Sequence, residues 1–396
     1  MRRIIPPRLA LLALAHFTID AYSSFFSPLL PLLVTRLHLS LTRVGALVAL
    51  ASLASSFSQP LFGWLSDRVH RPWFVALGPP VAALFLSAIG LAPSFAALVG
   101  LLILGGIGVA AFHPQAAVLA GGLSTRRSVA MSFFITGGTL GFALGPLFAV
   151  TIAGRLGLER TWIAAIPGVL MGLLLLSQFA RLDPRARPSG PRPTFAELRP
   201  VARPLSLLYF AVVCRSAVSY GFMTFLPIYL NRRGYSVTAG GAILTIYLTL
   251  GAMGGFFGGW LSDRWGGRNV VRASFVGALP LYVAFLFLPD RTGLPCLILG
   301  SFLLQSSLPV NVVLGQELSP RHASTISSLL MGAAWGVGAL LIGPIGALAD
   351  ARGLHLALLT LACLLAGGLG CALALPASTV TALPSPELAQ PAFASE

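Results

Sequence analysis

Twelve apolar runs, each long enough to cross a bilayer, decide what this chain can become. A hydrocarbon core of about 30 Å needs roughly 20 apolar residues in a helix. Runs of that kind lie at about 8–33, 41–65, 72–91, 95–118, 128–153 and 160–180. A second six lie at about 205–230, 237–262, 270–288, 293–316, 322–349 and 353–375. Lipid offers the backbone no hydrogen-bonding partner, so these runs must be helical. The predicted fold class is an all-α membrane protein of twelve transmembrane helices. Only 9% of residues are charged, against about 25% in soluble domains. The net charge of +15 is scattered between the apolar runs rather than gathered on one face, which argues against nucleic acid as a partner.

An even number of spans places both termini on one side. Seventeen arginines fall in segments on the termini's side and eight in the opposite loops, so the positive-inside rule predicts cytoplasmic termini and a plasma (inner) membrane location. The start, "MRRIIPPRLALLALA", has a basic head and a short apolar core like a signal peptide. No small-residue cleavage site closes it, and an uncleaved first span is expected. The four cysteines stand singly in apolar stretches and suggest neither a disulfide framework nor a metal site.

The chain also repeats itself. "GWLSDR" occurs as Gly63 to Arg68 and again as Gly259 to Arg264, and Gly-Pro pairs recur at 145–146 and 343–344 with nearly the same offset. Two six-span halves related by pseudo-symmetry are a transporter architecture, with the site near the midplane between them. The expected organisation is a first half at 1–180, a Pro- and Arg-rich cytoplasmic linker at 181–204, a second half at 205–375 and a disordered tail at 376–396.

These motifs resemble the major facilitator superfamily, whose loop signature after spans 2 and 8 is G-x-L-[SA]-D-R-x-G-R-[KR]. "GWLSDRWGGRNV" fits with one extra Gly, whereas "GWLSDRVHRPW" has Val69-His70 where Gly-Arg is usual. "GFALGP", with Gly141, Gly145 and Pro146, is similar to the G-x-x-x-G-P signature of proton-antiporting exporters. Within the superfamily, "AHFTIDAYSS", "AFHPQ", "GFALGPLFA" and "GQELSP" resemble the fosmidomycin-resistance-protein group of effluxers. In that group the second string usually ends in Glu, and here it ends in Gln115. The resemblance implies a major facilitator fold and proton-coupled efflux of a drug or metabolite. Its namesake drug, a phosphonate, points toward an anionic substrate.

Several polar residues sit where lipid would exclude them. Asp20 lies about 12 residues into span 1, roughly 18 Å deep. An intramembrane carboxylate is costly unless compensated and reads as functional by default. His16, four residues earlier, shares its helix face, so the pair can relay a proton or simply hydrogen-bond. Ligating a metal with a third group is the weaker reading, because no HExxH or other clustered ligand set accompanies the pair. Arg215 stands at matching depth in span 7, the symmetry mate of span 1, and is expected to neutralise Asp20 across the cavity or to hold an anion. His113 and Gln115 flank Pro114 in span 4, where a kink frees carbonyls that need partners or bends the helix toward a substrate.

In the repeated loops, Gly63 and Gly259 are expected to let helices approach closely. Asp67 and Asp263 would cap a neighbouring helix or pair with arginines such as Arg68 and Arg264, in one conformational state only. Gly141 and Gly145 form a small-xxx-small face for tight packing, and Pro146 is expected to kink the outer part of span 5.

The favoured reading is a secondary transporter exporting a small molecule in exchange for protons, as a monomer and without a cofactor. An importer of an organic acid or sugar is the alternative on the same scaffold. A membrane receptor or scaffold would have no need of buried charges. No Ser–His or metal constellation supports a hydrolase, and no GxxxxGK[ST] supports ATP driving.

Overall fold

The computed structural model describes residues 6–66, 72–123, 127–179, 195–319, 322, 326, 327 and 329–376. Twelve helical spans run Pro7–Leu37, Leu41–Gly63, Trp73–Leu91, Phe95–Gly122, Ala130–Leu156 and Leu158–Gln178, then Leu198–Arg232, Val237–Trp265, Gly267–Phe287, Asp290–Leu318, Leu329–Arg352 and Leu354–Ala374. They are numbered 1 to 12 below. No strand occurs among the described residues. The loop carrying Asp67 and Arg68, most of the linker and the tail from 377 onward lie outside the described residues. The last part of the expected linker is helical: residues Phe195–Val201 form a short 3-10 turn that runs into span 7.

Span 1 differs from its expected form. It consists of two helices, Pro7–Ser23 and Phe26–Leu37, with a break at Ser24–Phe25. Its end lies beyond the apolar run because polar groups find partners there. Thr35 Oγ1 donates to the Pro31 carbonyl (3.0 Å), and Arg36 Nη1 donates to that of Gly90 (2.5 Å). His38, with φ 48°, then stops the helix. Span 11 opens with a π-turn at Leu329–Ala333 before continuing as Ala334–Leu340 and Ile342–Arg352.

Most dense helix pairings lie within the first six spans or within the last six. The main pairings that cross are span 2 on span 11, span 5 on span 8, and the outer part of span 1 on span 7. These follow the repeat, since adding six to 2 and 5 gives 8 and 11. The crossing contacts gather toward the end of the bundle away from the termini. There Asp350 of span 11 reaches the start of span 2, and Thr238 of span 8 faces Gly154 of span 5.

Candidate functional site: a His–Asp–His cluster and a separate buried arginine

Asp20 is held by two imidazoles rather than by an arginine. His16 Nε2 stands 3.2 Å from Asp20 Oδ2, and His113 Nε2 stands 3.2 Å from Asp20 Oδ1. The two Nε2 atoms are themselves 3.2 Å apart. Span 1 supplies His16 and Asp20 from one face, and span 4 supplies His113 from the residue before Pro114.

The remaining ring nitrogens fix the tautomers. His16 Nδ1 bonds the Phe134 carbonyl of span 5 at 2.9 Å, and His113 Nδ1 bonds the Val109 carbonyl one turn earlier in its own helix at 2.7 Å. A carbonyl only accepts, so both Nδ1 atoms donate, and a neutral ring then carries its lone pair on Nε2. Two lone pairs and a carboxylate therefore converge on one point, a repulsive arrangement in a low dielectric unless a proton lies among them. One proton makes the cluster neutral overall, and a second makes it cationic.

The surroundings hold this geometry. The His16 ring stacks on Phe134, with centroids 4.2 Å apart, and meets His113 edge-on at 4.9 Å. Gly138 of span 5 covers the cluster: a Cβ there would sit 2.3 Å from His16 Nε2 and 2.6 Å from Asp20 Oδ2. His16 is 7% exposed, while the Asp20 and His113 side chains keep 17% and 26% of their surface accessible.

The third ligating group that the sequence lacks near His16 and Asp20 is thus brought in from span 4 by folding, and among the described residues these three form a set that could hold a transition-metal ion. Asp20 offers one oxygen to each imidazole, and donor atoms 3.2 Å apart suit a shared proton and a tetrahedral metal shell alike.

Arg215 does not meet Asp20. It is 1% exposed, its Nη1 donates to Gln305 Oε1 at 2.9 Å, and its guanidinium lies 5.0 Å from the centre of the Trp335 ring. No carboxylate is within ion-pair reach of it among the described residues. The expected charge pair fails because equal depth on symmetry-related helices does not set rotation about the helix axis. Asp20 is turned into the first six-span bundle and Arg215 into the second.

Gln115 also leaves the expected cavity. It is 1% exposed, and its Oε1 accepts from the Val75 amide at 3.1 Å in the first turn of span 3. Pro72, which precedes that helix, has no side-chain oxygen to offer, so span 4 supplies the acceptor. Where the family pattern has Glu, a carboxylate at a helix N-terminus would suit the same place.

The repeated loop motif is only partly described. Among the described residues, a Cβ at Gly63 would meet only Pro114 Cβ, and one at Gly259 only Pro309 Cγ, each at the ordinary contact distance of 3.9 Å. The close approach expected of these glycines falls instead to Gly254 and Gly258, whose added Cβ would lie 2.0 Å from carbonyls of span 10. Asp263 is exposed, and neither a cap nor an ion pair forms at it among the described residues; Arg264 stacks on Trp260 at 4.1 Å.

Gly141 and Gly145 lie against span 1, where a Cβ would reach the Phe17 carbonyl at 2.0 Å and Ser24 Oγ at 2.1 Å. Gly145 thus faces the break in span 1. The helix runs through Pro146 without a gap.

Sequence reasoning missed Gly138, Gln305, Asn311, Trp335 and Asp350. Gln305 and Asn311 carried the same signal as Asp20, a polar side chain inside an apolar run, but without a charge.

A family model described as Major Facilitator Superfamily matches residues 12–343. The chain is 30% identical over 360 residues to the uncharacterized MFS-type transporter YfnC of Bacillus subtilis, covering 88% of each chain. It is 28% identical over 358 residues to the fosmidomycin resistance protein of Escherichia coli, covering 88% of this chain and 87% of that one. In fold it is similar to a bacterial homolog of the human lysosomal transporter Spinster, in an inward-facing and occupied conformation. The TM-score is 0.79 at 18% identity, over 92% of this chain and 95% of that one. With twelve apolar spans, a repeated loop motif and a family match across most of its length, this chain belongs to the major facilitator superfamily and is a membrane transporter of the secondary kind.

Proposed function

We propose that this chain exports a small molecule in exchange for protons, by alternating access across a bacterial inner membrane. The observation that carries the reading is the convergence of His16 Nε2, His113 Nε2 and the Asp20 carboxylate, with both Nδ1 atoms committed to carbonyls. Such a cluster needs one proton and has room for a second. Its charge, and hence the cost of enclosing it, changes with each proton taken or released. Export is supported by the similarity to a fosmidomycin resistance protein, since a transporter lowers the internal level of a drug by moving it out. The arginine bias supports cytoplasmic termini, and the substrate, protons and lipid are the partners this reading needs.

One observation favours a second reading, proton-coupled uptake of an organic acid. Arg215 is a fixed positive charge with no carboxylate beside it among the described residues. With one proton the cluster is neutral, so a monoanion at Arg215 makes the whole enclosed site neutral. Proton and anion then favour each other and travel together.

Transport into proteoliposomes under imposed pH gradients separates the two. Proton flow opposite to the substrate accelerates exchange, whereas proton flow with the substrate accelerates cotransport. At one proton per substrate, a gradient of one pH unit can support up to about a tenfold concentration ratio. Fluxes indifferent to pH gradients of both signs would overturn both.

A further inference from the structure

We infer that Arg215, Asn311 and the cavity they line form the subsite for the head group of a small organic anion with an apolar body. The inference rests on the transporter reading above and adds the substrate class. Three polar atoms of two residues are buried without partners in the second bundle. Asn311, 1% exposed, has neither Nδ2 nor Oδ1 hydrogen-bonded, and Arg215 Nε is likewise buried without a partner. A buried amide left unsatisfied costs stability, and a folded protein retains such a defect where a ligand completes it.

Arg215 and Asn311 line one cavity of about 20 Å³, with Val212, Leu308, Met331 and Trp335 among its apolar walls. That volume holds roughly one water, or one oxygen of an anion. One oxygen of the ligand's charged end fits there, and the rest must lie outside it, along the apolar wall. Met331, 56% exposed, marks the open side, and it belongs to the π-turn Leu329–Ala333. Such turns inside helices recur at functional sites.

Trp335 sets the orientation. Its ring lies 5.0 Å from the guanidinium carbon and meets Tyr220 edge-on at 5.6 Å. A guanidinium held against an aromatic ring keeps its plane fixed, which presents the N–H fork that carboxylate and phosphonate oxygens accept from in pairs. Gln305 Oε1 already takes one of these donors at 2.9 Å, in the role of a neutral stand-in that an anionic oxygen would join or displace. Asn311 Nδ2 supplies a further donor. Trp335 is a positioning residue, while Arg215 and Asn311 would touch the ligand.

The test is direct binding to the purified full-length protein in detergent, with no gradient, using benzoate, phenylphosphonate and the neutral isostere benzamide. Both anions should bind at least tenfold more tightly than benzamide. Arg215→Lys should weaken anion binding severalfold or more, because the charge stays and the fork is lost. Asn311→Leu separates a binding role from a structural one. Removing two unsatisfied polar atoms should raise the thermal midpoint of the ligand-free protein while cutting anion affinity about tenfold.

Benzamide binding as well as benzoate would overturn the subsite, as would Arg215→Lys binding anions like the wild type. So would Asn311→Leu that lowers stability and leaves anion affinity unchanged. Anion binding that follows this pattern in a protein whose transport ignores pH would support the subsite and remove only the proton-coupling reading.

Discussion

Asp350 of span 11 caps the start of span 2 at Thr42. Its Oδ2 accepts from the Thr42 amide at 2.8 Å and from the Thr42 hydroxyl at 2.6 Å, and its Oδ1 accepts from the Leu41 amide at 2.9 Å. Ser40 Oγ accepts from the Arg43 amide at 3.2 Å, and the Ser40 carbonyl takes the Val44 amide at 3.1 Å. All four amides at this helix start are therefore satisfied, two of them by a carboxylate from the other half of the chain. An anion at a helix N-terminus also gains from the helix dipole. This contact can exist only while the end of the bundle away from the termini is closed.

Asp350→Ala should therefore loosen that end. Losing a helix cap costs about 0.5–2 kcal/mol, which would shift the equilibrium between open and closed forms roughly 2- to 30-fold. Thr42→Val removes one of the three bonds and should do less. Distances between labels on the loop joining spans 1 and 2 and the loop joining spans 11 and 12 would report the shift. An unchanged distance distribution in Asp350→Ala would show that the carboxylate is not a latch.

Gly138→Ala and Gly141→Ala should fail in different ways, although they are one turn apart on span 5. At Gly138 the added methyl meets side-chain atoms of His16 and Asp20, which can move aside. The protein should fold with near-normal stability, its cluster dispersed and its pH response lost. At Gly141 the methyl meets the Phe17 backbone, which cannot yield without moving span 1. A loss of about 1–3 kcal/mol and reduced abundance are expected there. Thermal midpoints measured beside transport would separate the two. Equal stability losses would show that the cluster is as rigid as the backbone behind it.

Both termini should face the cytoplasm, on the strength of the arginine asymmetry between the two sets of loops. Reporter fusions after Arg192 and at the C-terminus should agree. An external signal from either would reverse the assignment of sides and the direction of every flux argued above.

The twelve spans and their repeat were legible because hydropathy and composition act over twenty residues at a time. Residue depth was legible for the same reason, as a count along a helix, and it singled out His16, Asp20, His113 and Arg215. Which of them meet was not legible. His16 and Asp20 share a face by spacing alone, but His113 joins them only through the crossing of spans 1 and 4, which no local pattern encodes. The Asp20–Arg215 pairing followed depth and symmetry and failed on rotation. Gln115 was read by its neighbours in sequence, whereas its side chain serves the first turn of span 3. Nothing near Asp350 in sequence points to its role, because the helix start it caps belongs to the opposite half.

Asp20→Asn should abolish the response of transport to a pH gradient while sparing exchange of substrate for substrate. With both Nδ1 atoms donating to carbonyls, each neutral imidazole presents only a lone pair. Against a carboxylate that arrangement requires a proton; against an amide it does not, because Nδ2 of asparagine can donate to one ring directly. The substitution keeps the shape of the side chain, removes the negative charge and satisfies one of the two rings without a bound proton. Protein abundance and thermal stability should stay close to wild type. Accumulation driven by one pH unit should fall from as much as about tenfold toward none. His113→Asn should weaken the response less, because His16 and Asp20 remain 3.2 Å apart and can still share a proton. If Asp20→Asn transports with an undiminished pH response, the cluster is a structural tie between spans 1 and 4, and the proton must be carried elsewhere.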